Sequence, residues 1–266
     1  MQLTNKHNLP ETFVNVIKRP TYTKGKANLS ITELIDSPRV VNMKHRHWDD
    51  ISVDASEMVW SLFGTAVHGV LEHGKEDGHI VEQRLHTEID GWTISGAIDL
   101  QTVGATDITI SDYKTTGVWA VMNEKKDWEY QLNIYAWLVE KVKGQKVIGV
   151  QICALIRDWS RREASVKPDY PQAPIQVLDL PLWSIEDTEA YIKERIDAHR
   201  LSKVQADWGD ELPPCTDDER WVRETKFAVK REGRKTAIRV LDSEQEANTV
   251  VGVMQRGYQL HDRILR

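Results

Sequence analysis

Two carboxylates and an ammonium group can be brought together by one stretch of the chain, Gly91 to Lys114, which reads GWTISGAIDLQTVGATDITISDYK. Residues two apart on a β-strand share a face, so Asp112 and Lys114 are predicted to point the same way, with Tyr113 turned to the opposite side. If Asp99 lies on a neighbouring strand, two acidic oxygens meet one ammonium at one end of a sheet. A hard divalent cation and an attacking water require such a group.

The same stretch is typical of two strands joined by a turn. Apolar residues alternate loosely up to Leu100, the turn falls at Thr102 to Thr106, and Ile108 and Ile110 lead up to Asp112. Ahead of it, His79 to Ile89 alternates as a further strand and is joined through Asp90-Gly91, a favoured hairpin dipeptide. Glu82 in that strand has two interpretations: support for the acidic site, or a strand-surface glutamate, which is the simpler one.

A helix is predicted from Ala55 to His73, because its apolar residues recur every three or four positions and form a broad apolar face. Gly64 and His68 are four residues apart on the edge of that face. The glycine disfavours a helix, and close approach of another backbone would explain it. His68 could then reach a metal across that gap, although a helical histidine beside an apolar stripe is more often a packing residue.

A second helix, WEYQLNIYAWLVEKVK, is predicted after a cap at Asp127 and ends at Gly144. Gln131 and Tyr135 are four residues apart and therefore share a face, so both could reach the same phosphate or water. In the alternative interpretation, Tyr135 packs in the core and Gln131 faces solvent.

The composition excludes several classes of protein. Of the 266 residues, 29% are charged, and the mean hydropathy is −0.49, as in ordinary globular proteins. The longest apolar run, 148–156, is broken by Gln151 and is far shorter than the roughly 20 residues of a membrane span. The N-terminus has no hydrophobic signal core, and Cys153 and Cys215 give no disulfide framework. We therefore expect no membrane association and a cytoplasmic protein.

The order of strands and helices predicts an α/β fold with a central mixed β-sheet flanked by helices. Residues 1–54 are interpreted as a lead-in, irregular up to residue 28, with a short helix capped by Ser30 and ended by Pro38. Residues 40–54 are expected to form a polar loop, in which the His45-Arg46-His47 cluster is a metal or phosphate contact or, more simply, solvated. Residues 55–205 form the predicted core, and 206–266 a basic hairpin and helix packed on it as one globular unit.

A basic cluster stands out in a chain whose net charge is −6. Residues 223–239 hold seven basic residues, including Arg223, against Glu224 and Glu232, around a predicted hairpin at Glu232-Gly233. The cluster is interpreted either as a phosphate-binding patch or as a solvated hairpin balanced by the acidic helix after it. Residues 158–174 are expected to form a second exposed basic loop. The candidate DNA-binding residues are Arg231, Arg234, Lys235, Arg161 and Arg162.

Four of these motifs occur together in a fixed order: GTAVH at 64–68, GAID at 96–99, DYKTT at 112–116 and QLNIY at 131–135. The set resembles the PD-(D/E)XK nuclease superfamily, in its RecB-type branch. The resemblance covers residues 30 to about 157, and DYKT after GxxD is its most specific part.

The resemblance implies a restriction-endonuclease-like core and a metal-dependent nuclease. His68, Asp99, Asp112 and the Tyr113 carbonyl would bind Mg²⁺ or Mn²⁺. Lys114 would orient or activate the hydrolytic water, and Gln131 and Tyr135 would position DNA or the lysine. Some RecB-type enzymes hold an iron–sulfur cluster on four cysteines, one of which comes just before a Pro-Arg pair. This chain has only two cysteines, and Ser37 takes the position before Pro38-Arg39. We therefore predict no cluster.

The expected function is a DNA exonuclease that trims linear DNA, similar to phage or mobile-element enzymes of recombination and repair. The expected location is the cytoplasm, that of the host if a phage encodes the protein. Two alternatives remain: a structure-specific endonuclease, and a DNA-binding or partner-dependent subunit with a vestigial site. DNA is the expected partner; a single-strand annealing protein, a helicase or a second copy of the chain are further candidates.

Overall fold

The computed structural model describes residues 1–19, 24–123, 125–222, 225–231, 233–253 and 258–263, with the backbone alone at 253 and 258–263. The chain divides into two compact units, Met1–Pro213 and Pro214–Arg266. The domain boundaries predicted at residues 54 and 205 stay predictions. Within the described part of the chain, no helix is long and apolar enough to cross a membrane.

The first unit contains eight helices and eight strands among its described residues. The helices are α1 (Glu11–Ile17), α2 (Ile31–Ile35), α3 (Pro38–Arg46), α4 (Val59–Leu71), α5 (Val118–Met122), α6 (Lys126–Lys143), α7 (Arg161–Val166) and α8 (Ile185–Trp208). The strands are β1 (Gln2–Thr4), β2 (Leu29–Ser30), β3 (Ser52–Asp54), β4 (His79–Ile89), β5 (Trp92–Val103), β6 (Asp107–Thr116), β7 (Lys146–Ile156) and β8 (Ile175–Leu180).

Six of these strands form one mixed sheet. The long strand β5 pairs with β4 along one edge; along the other edge it pairs with β2 near its start and with β6 near its end. The sheet continues from β6 to β7 in parallel and from β7 to β8 antiparallel. Helix α6 packs on this sheet, and α8 packs on α6 and α3. The predicted fold class, a central mixed sheet flanked by helices, is confirmed.

The turn between β4 and β5 fixes the register of both strands. Asp90 and Gly91 both have left-handed φ angles, 49° and 74°, as a two-residue hairpin turn requires. Ile89 therefore pairs with Trp92, and the register runs unchanged to the pair of His79 with Thr102. This hairpin was predicted from the Asp-Gly dipeptide.

The centre of the sheet is covered by α6, which buries most of its length. Its apolar residues, with Leu132, Ile134 and Leu138 fully buried, join sheet residues such as Ile98 and Ile152 in one hydrophobic core. Gly144 ends the helix in a left-handed conformation, as predicted. The motifs on β5, β6 and α6 thus lie on elements that contribute residues to this core.

The prediction for the N-terminal segment was wrong in two places. Residues 1–28, expected to be irregular, contain β1 and α1. The helix capped by Ser30 ends at Ile35, before Pro38 as expected, but Pro38 is also the first residue of α3, a position where the missing proline N–H costs nothing. The expected polar loop at 40–54 therefore holds the rest of α3, with His45 and Arg46, and the strand β3. The capping box of Ser30 and Glu33 is confirmed.

Helix α4 is shorter and more exposed than predicted. It is flanked by single 3₁₀ turns at Ala55–Met58 and Glu72–Gly74, and it contains no buried residue. Trp60 is 54% exposed, Phe63 45% and Val70 71%. The apolar face of this helix is therefore not part of the hydrophobic core.

In its described residues, the second unit is a small sheet with one helix. Its elements are β9 (Lys226–Arg231), β10 (Arg239–Leu241), α9 (Glu244–Val253) and β11 (Tyr258–Arg263), and its strand order is β10-β9-β11 with antiparallel pairing throughout. The predicted pairing of the segments on either side of Gly233 is present, because Arg239 pairs with Val229. Arg223, Glu224 and Glu232 lie outside the described residues.

Candidate active site

Three carboxylates lie in one row across three neighbouring strands. Leu100 pairs with Ser111 across β5 and β6, and that register places Asp99 opposite Asp112. Across β4 and β5, Val81 pairs with Leu100, so the same register places Glu82 opposite Asp99. Directly opposite residues on neighbouring strands share a face of the sheet. The strand pairing thus brings Glu82, Asp99 and Asp112 to one site.

Glu82 interrupts the ladder between β4 and β5. It has a left-handed φ of 48°, and no ladder pair forms between it and Asp99, although the pairs on both sides of them form. A residue other than glycine in this conformation costs about 1–3 kcal/mol, and such residues cluster at functional sites. The contact of its carboxylate with His68 supports the first interpretation of Glu82, a residue that supports the acidic site, although its side chain stays on the exposed surface of the strand.

The imidazole of His68 is surrounded by oxygen atoms. Its Nδ1 lies 3.4 Å from Oε1 of Glu82 and 3.5 Å from Oδ1 of Asp99. Its Nε2 lies 3.1 Å from the backbone carbonyl oxygen of Tyr113. One ligand atom from each of His68, Glu82 and Asp99 lies within 4.8 Å of the other two, so these three residues could hold a metal ion.

The electrostatics of this group favour a bound cation. Burial, and after it the charge of Asp112, raises the pKa of Asp99 to about 7, against the opposing charge of His68 and a 2.8 Å hydrogen bond from the Tyr113 N–H. The hydrogen bond with Glu82 is the largest cause that raises the pKa of His68, while burial opposes it. Negative charge is therefore crowded where water cannot screen it.

A second group of side chains is linked to the first through Asp112. Nζ of Lys114 lies 2.6 Å from Oδ2 of Asp112 and donates to Oε1 of Gln131 at 3.1 Å. Nε2 of Gln131 donates to Oδ1 of Asp112 at 3.3 Å and to the hydroxyl of Tyr135 at 2.8 Å. Gln131 is only 8% exposed, so the alternative that it faces solvent is wrong, whereas Tyr135 both packs in the core and joins this network.

Two glycines of the motifs allow these elements to approach. A Cβ atom at Gly96 would lie 2.7 Å from Cε1 of Tyr135 and 2.5 Å from Cδ1 of Ile31, so only glycine fits. A Cβ atom at Gly64 would lie 3.4 Å from Oγ1 of Thr115. The partner of Gly64 is therefore a side chain of β6, not the backbone that was predicted.

The residues present fit a hard divalent metal. Oδ2 of Asp112 is buried and, within the described residues, accepts no hydrogen bond of good geometry, although Lys114 lies close to it. A buried carboxylate oxygen without a hydrogen bond of good geometry can take a metal cation as a further partner. Carboxylates, a backbone carbonyl and one imidazole are the ligands expected for Mg²⁺ or Mn²⁺.

The predicted DNA-binding residues are all exposed. Arg161 and Arg162 lie in the first turn of α7, which replaces part of the loop expected at 158–174. In the second unit, Arg231 ends β9, and Arg234 and Lys235 follow it. Their role in binding DNA stays a prediction.

A sequence profile of the PD-(D/E)XK nuclease superfamily matches residues 56–217, well over half of the 266-residue chain. The chain belongs to the PD-(D/E)XK nuclease superfamily. The matched range contains His68 and the row of carboxylates, together with Lys114, Gln131 and Tyr135. Nucleases of this superfamily generally use Mg²⁺ or Mn²⁺, which agrees with the donors described above.

Two solved structures resemble this nuclease at low sequence identity. The protein SSO0001 is 15% identical, with a TM-score of 0.46, and the match covers 70% of this chain and 82% of SSO0001. A candidate exonuclease from Eubacterium rectale is 12% identical, with a TM-score of 0.32, and the match covers 85% of this chain and 78% of the other. Scores this low carry no argument about function.

Among curated proteins, a short segment of the chain is similar to the protein GrpE of Thiobacillus denitrificans. The two are 70% identical over 30 residues, which is 11% of this chain. The chain spans only 17% of the length of that relative. Nothing about activity follows from a match of this extent.

Glu82 lies at the site, although a strand-surface position was the simpler interpretation of its sequence. The signal that could have placed it is the Asp90-Gly91 turn. Once Ile89 pairs with Trp92, the seventh residue before Ile89 must face the seventh residue after Trp92, which is Asp99.

Proposed function

We propose that this nuclease is a metal-dependent deoxyribonuclease that hydrolyses phosphodiester bonds. The observation that carries the proposal is the row of Glu82, Asp99 and Asp112 across three strands. Lys114 follows Asp112 on β6 and contacts its carboxylate. Acidic oxygens and an ammonium group at one buried site match the needs of phosphodiester hydrolysis, since the acids hold a cation and the ammonium meets developing negative charge.

We assign the metal ligands to His68, Asp99, Asp112 and the Tyr113 carbonyl. A bound Mg²⁺ or Mn²⁺ supplies positive charge against the scissile phosphate and makes water a better nucleophile. The crowded charge at Asp99 and the burial of Asp112 Oδ2 beside the Lys114 ammonium support this assignment. Two cysteines in the sequence cannot hold the four-cysteine iron–sulfur cluster, and we propose that the enzyme works without one.

Glu82 acts on the site through His68. A histidine that binds a metal usually donates its other ring N–H to a carboxylate, which fixes the tautomer and the orientation of the ring. Glu82 lies 3.4 Å from Nδ1 of His68 and is therefore placed to accept that proton. Nε2, which lies 3.1 Å from the Tyr113 carbonyl oxygen, would then face the same metal as that oxygen.

Lys114 orients the water and stabilises the phosphate in the transition state. Its ammonium lies between Asp112 and Gln131. Tyr135 holds Gln131 in this position, because the tyrosine hydroxyl accepts a hydrogen bond from Nε2 of Gln131. Gln131 and Tyr135 are therefore positioning residues for Lys114, because no bond between them and the reacting atoms is required.

The finer proposal is an exonuclease that acts at the ends of linear DNA in the cytoplasm, in recombination or repair. It is supported by the resemblance of the four motifs to RecB-type exonucleases. A single-strand annealing protein or a helicase would then be a natural partner. A structure-specific endonuclease is the competing function, and a vestigial site is opposed by the complete set of contacts around Lys114.

The test is cleavage of end-labelled linear, nicked and covalently closed circular DNA in the presence of Mg²⁺ or Mn²⁺. The expected result is degradation of the linear DNA alone, and its loss in EDTA. Asp112→Ala should lower the rate at least about hundredfold while circular dichroism stays unchanged. Cutting of closed circles would establish an endonuclease instead, and DNA binding without hydrolysis in either metal would indicate a vestigial site.

A further inference from the structure

The start of α4 presents an exposed aromatic pair to solvent. Trp60 and Phe63 are 54% and 45% exposed, and their ring centroids lie 6.5 Å apart in an edge-to-face arrangement. The described contacts bury no residue of this helix. Other tryptophans of this unit, such as Trp119 and Trp208, are also exposed, but Trp60 and Phe63 place two aromatic rings side by side, and a continuous exposed apolar patch is typical of a binding surface.

This aromatic pair lies on the same helix and along the same strand as the catalytic residues. Following α4 backwards, His68 faces Tyr113, Gly64 faces Thr115, and the ring of Trp60 faces Arg157. The backbone N–H of Arg157 donates to the carbonyl of Thr116, the last residue of β6, at 2.9 Å. Helix and strand therefore run side by side from the metal ligands to Trp60.

The distance from Trp60 to His68 matches the length of a few nucleotides. Trp60 and His68 are eight residues apart, which is about 12 Å along a helix. Stacked nucleotides rise by about 3.4 Å each, so roughly three to four of them span this distance. A strand whose scissile phosphate lies at the metal ligands would thus have bases at the level of Trp60.

The chemistry of this surface favours a nucleic acid as its ligand over an apolar partner. The guanidinium carbon of the exposed Arg157 lies 4.2 Å from the centroid of the Trp60 ring. A guanidinium held on an aromatic face offers donors to phosphate and a planar surface to bases, and exposed aromatic rings stack on bases of any sequence. Bases inside a duplex already stack on each other, so this surface suits unpaired ones.

We propose that Trp60, Phe63 and Arg157 form a stacking subsite for the unpaired nucleotides of a DNA strand that leads into the catalytic site. The inference rests on the proposed nuclease function, and it makes single-stranded DNA, or a single-stranded end of duplex DNA, the substrate class of that site. A blunt duplex cannot use the subsite.

The experiment measures binding of a fluorescent oligothymidine to the full-length protein in EDTA, where no hydrolysis occurs. Trp60→Leu should weaken binding roughly ten- to hundredfold, since each base stacked on an aromatic ring contributes strongly to affinity. Trp60→Phe keeps a ring and should restore most of that loss. Trp208→Leu is the control, because Trp208 is also exposed but ends α8, next to α3.

The inference fails if Trp60→Leu binds the oligothymidine as the wild type does, or if the folded wild-type protein does not bind it. It also fails if the substitution weakens blunt duplex binding equally. A change of sedimentation from dimer to monomer in Trp60→Leu, with unchanged DNA binding, would assign the aromatic pair to a second copy of the chain instead. Because binding is measured without metal, these outcomes are independent of whether the protein cleaves DNA.

Discussion

At the level of single residues, hydrogen bonds fix the position of Lys114. Gln131 accepts from the lysine through Oε1 and donates through Nε2 to Asp112 and Tyr135, so its amide has only one orientation that satisfies all three contacts. Gln131 and Tyr135 could be paired from the sequence because residues four apart share a helix face. Their contact with Asp112 and Lys114 could not, because it depends on how α6 lies on the sheet.

The residues of the β5–β6 hairpin were the most predictable part of the site. Strand periodicity alone placed Asp112 and Lys114 on one face, and their 2.6 Å contact agrees with it. Glu82 was harder to place, because strand periodicity does not foresee a left-handed residue within a strand. The roles assigned to these residues remain proposals.

Asp99 is expected to destabilise the metal-free protein. Its folded pKa is raised from 3.8 to about 7, so its contribution to stability is fully present below pH 3.8 and is lost as the pH rises through about 7. Asp99→Asn should therefore raise the free energy of unfolding above pH 7 in EDTA, by at most about 4 kcal/mol. Urea denaturation measures it.

The same variant should lose the stabilisation that Mn²⁺ gives to the wild type, since a ligand is missing. The control is denaturation below pH 3.8, where Asp99 is protonated in both states and the two proteins should be equally stable. Asp99→Asn that is less stable than the wild type above pH 7 would contradict this account.

At the level of elements, the close contact of β5 with α6 depends on Gly96. The ring of Tyr135 occupies the space that a side chain at position 96 would need. Gly96→Ala should displace this ring, release Gln131 and lower the free energy of unfolding by roughly 1–3 kcal/mol, the usual cost of overpacking a core. The rate of DNA cleavage should fall with it.

Gly149→Ala is the matched control. Gly149 also lies within a strand of the sheet, but its Cβ would be 3.7 Å from the nearest atom, an ordinary contact. Thermal denaturation and cleavage assays on both variants test the prediction. Equal stability and activity of Gly96→Ala and Gly149→Ala would show that the ring of Tyr135 is not held in this way.

The elements differ in how well the sequence predicts them. The hairpins and α6 follow from local signals, namely the Asp-Gly turn, the alternation of apolar residues and the glycine that ends the helix. Helix α4 shows the limit, because its apolar periodicity is real but its apolar side chains remain exposed or only half-buried. Periodicity identifies a helix and its faces; it does not identify what covers them.

At the level of the whole molecule, the order of elements was sufficient to predict the fold class, because strands alternating with helices leave few ways to build a sheet. The order did not reveal that Pro38, which follows the end of α2, also begins α3, since proline both ends and begins helices.

The acid stability of the fold depends in part on His199 of α8. Burial lowers its pKa from 6.5 to about 4, against the effect of the Leu34 carbonyl oxygen 3.2 Å from Nε2. Its contribution is therefore present above pH 6.5 and is lost as the pH falls toward 4, because the unfolded chain binds the proton first. The loss should total about 3 kcal/mol.

His199→Gln keeps a donor toward Leu34 but removes the titrating group. Urea denaturation between pH 6.5 and about 4 should show a shallower decline of stability for this variant than for the wild type. Parallel pH curves for the two proteins would mean that His199 is protonated in the folded state as easily as in the unfolded chain.

The central claim is that Lys114, held between Asp112 and Gln131, acts on the reaction itself. The direct measurement is single-turnover cleavage of end-labelled linear DNA by wild type and Lys114→Ala at saturating Mg²⁺, with Mn²⁺ affinity measured on the same samples. We predict a rate at least about hundredfold lower and an Mn²⁺ affinity that does not fall, since Lys114 is not a metal ligand and its removal takes a positive charge away from Asp112. Cleavage by Lys114→Ala at the wild-type rate would contradict the account.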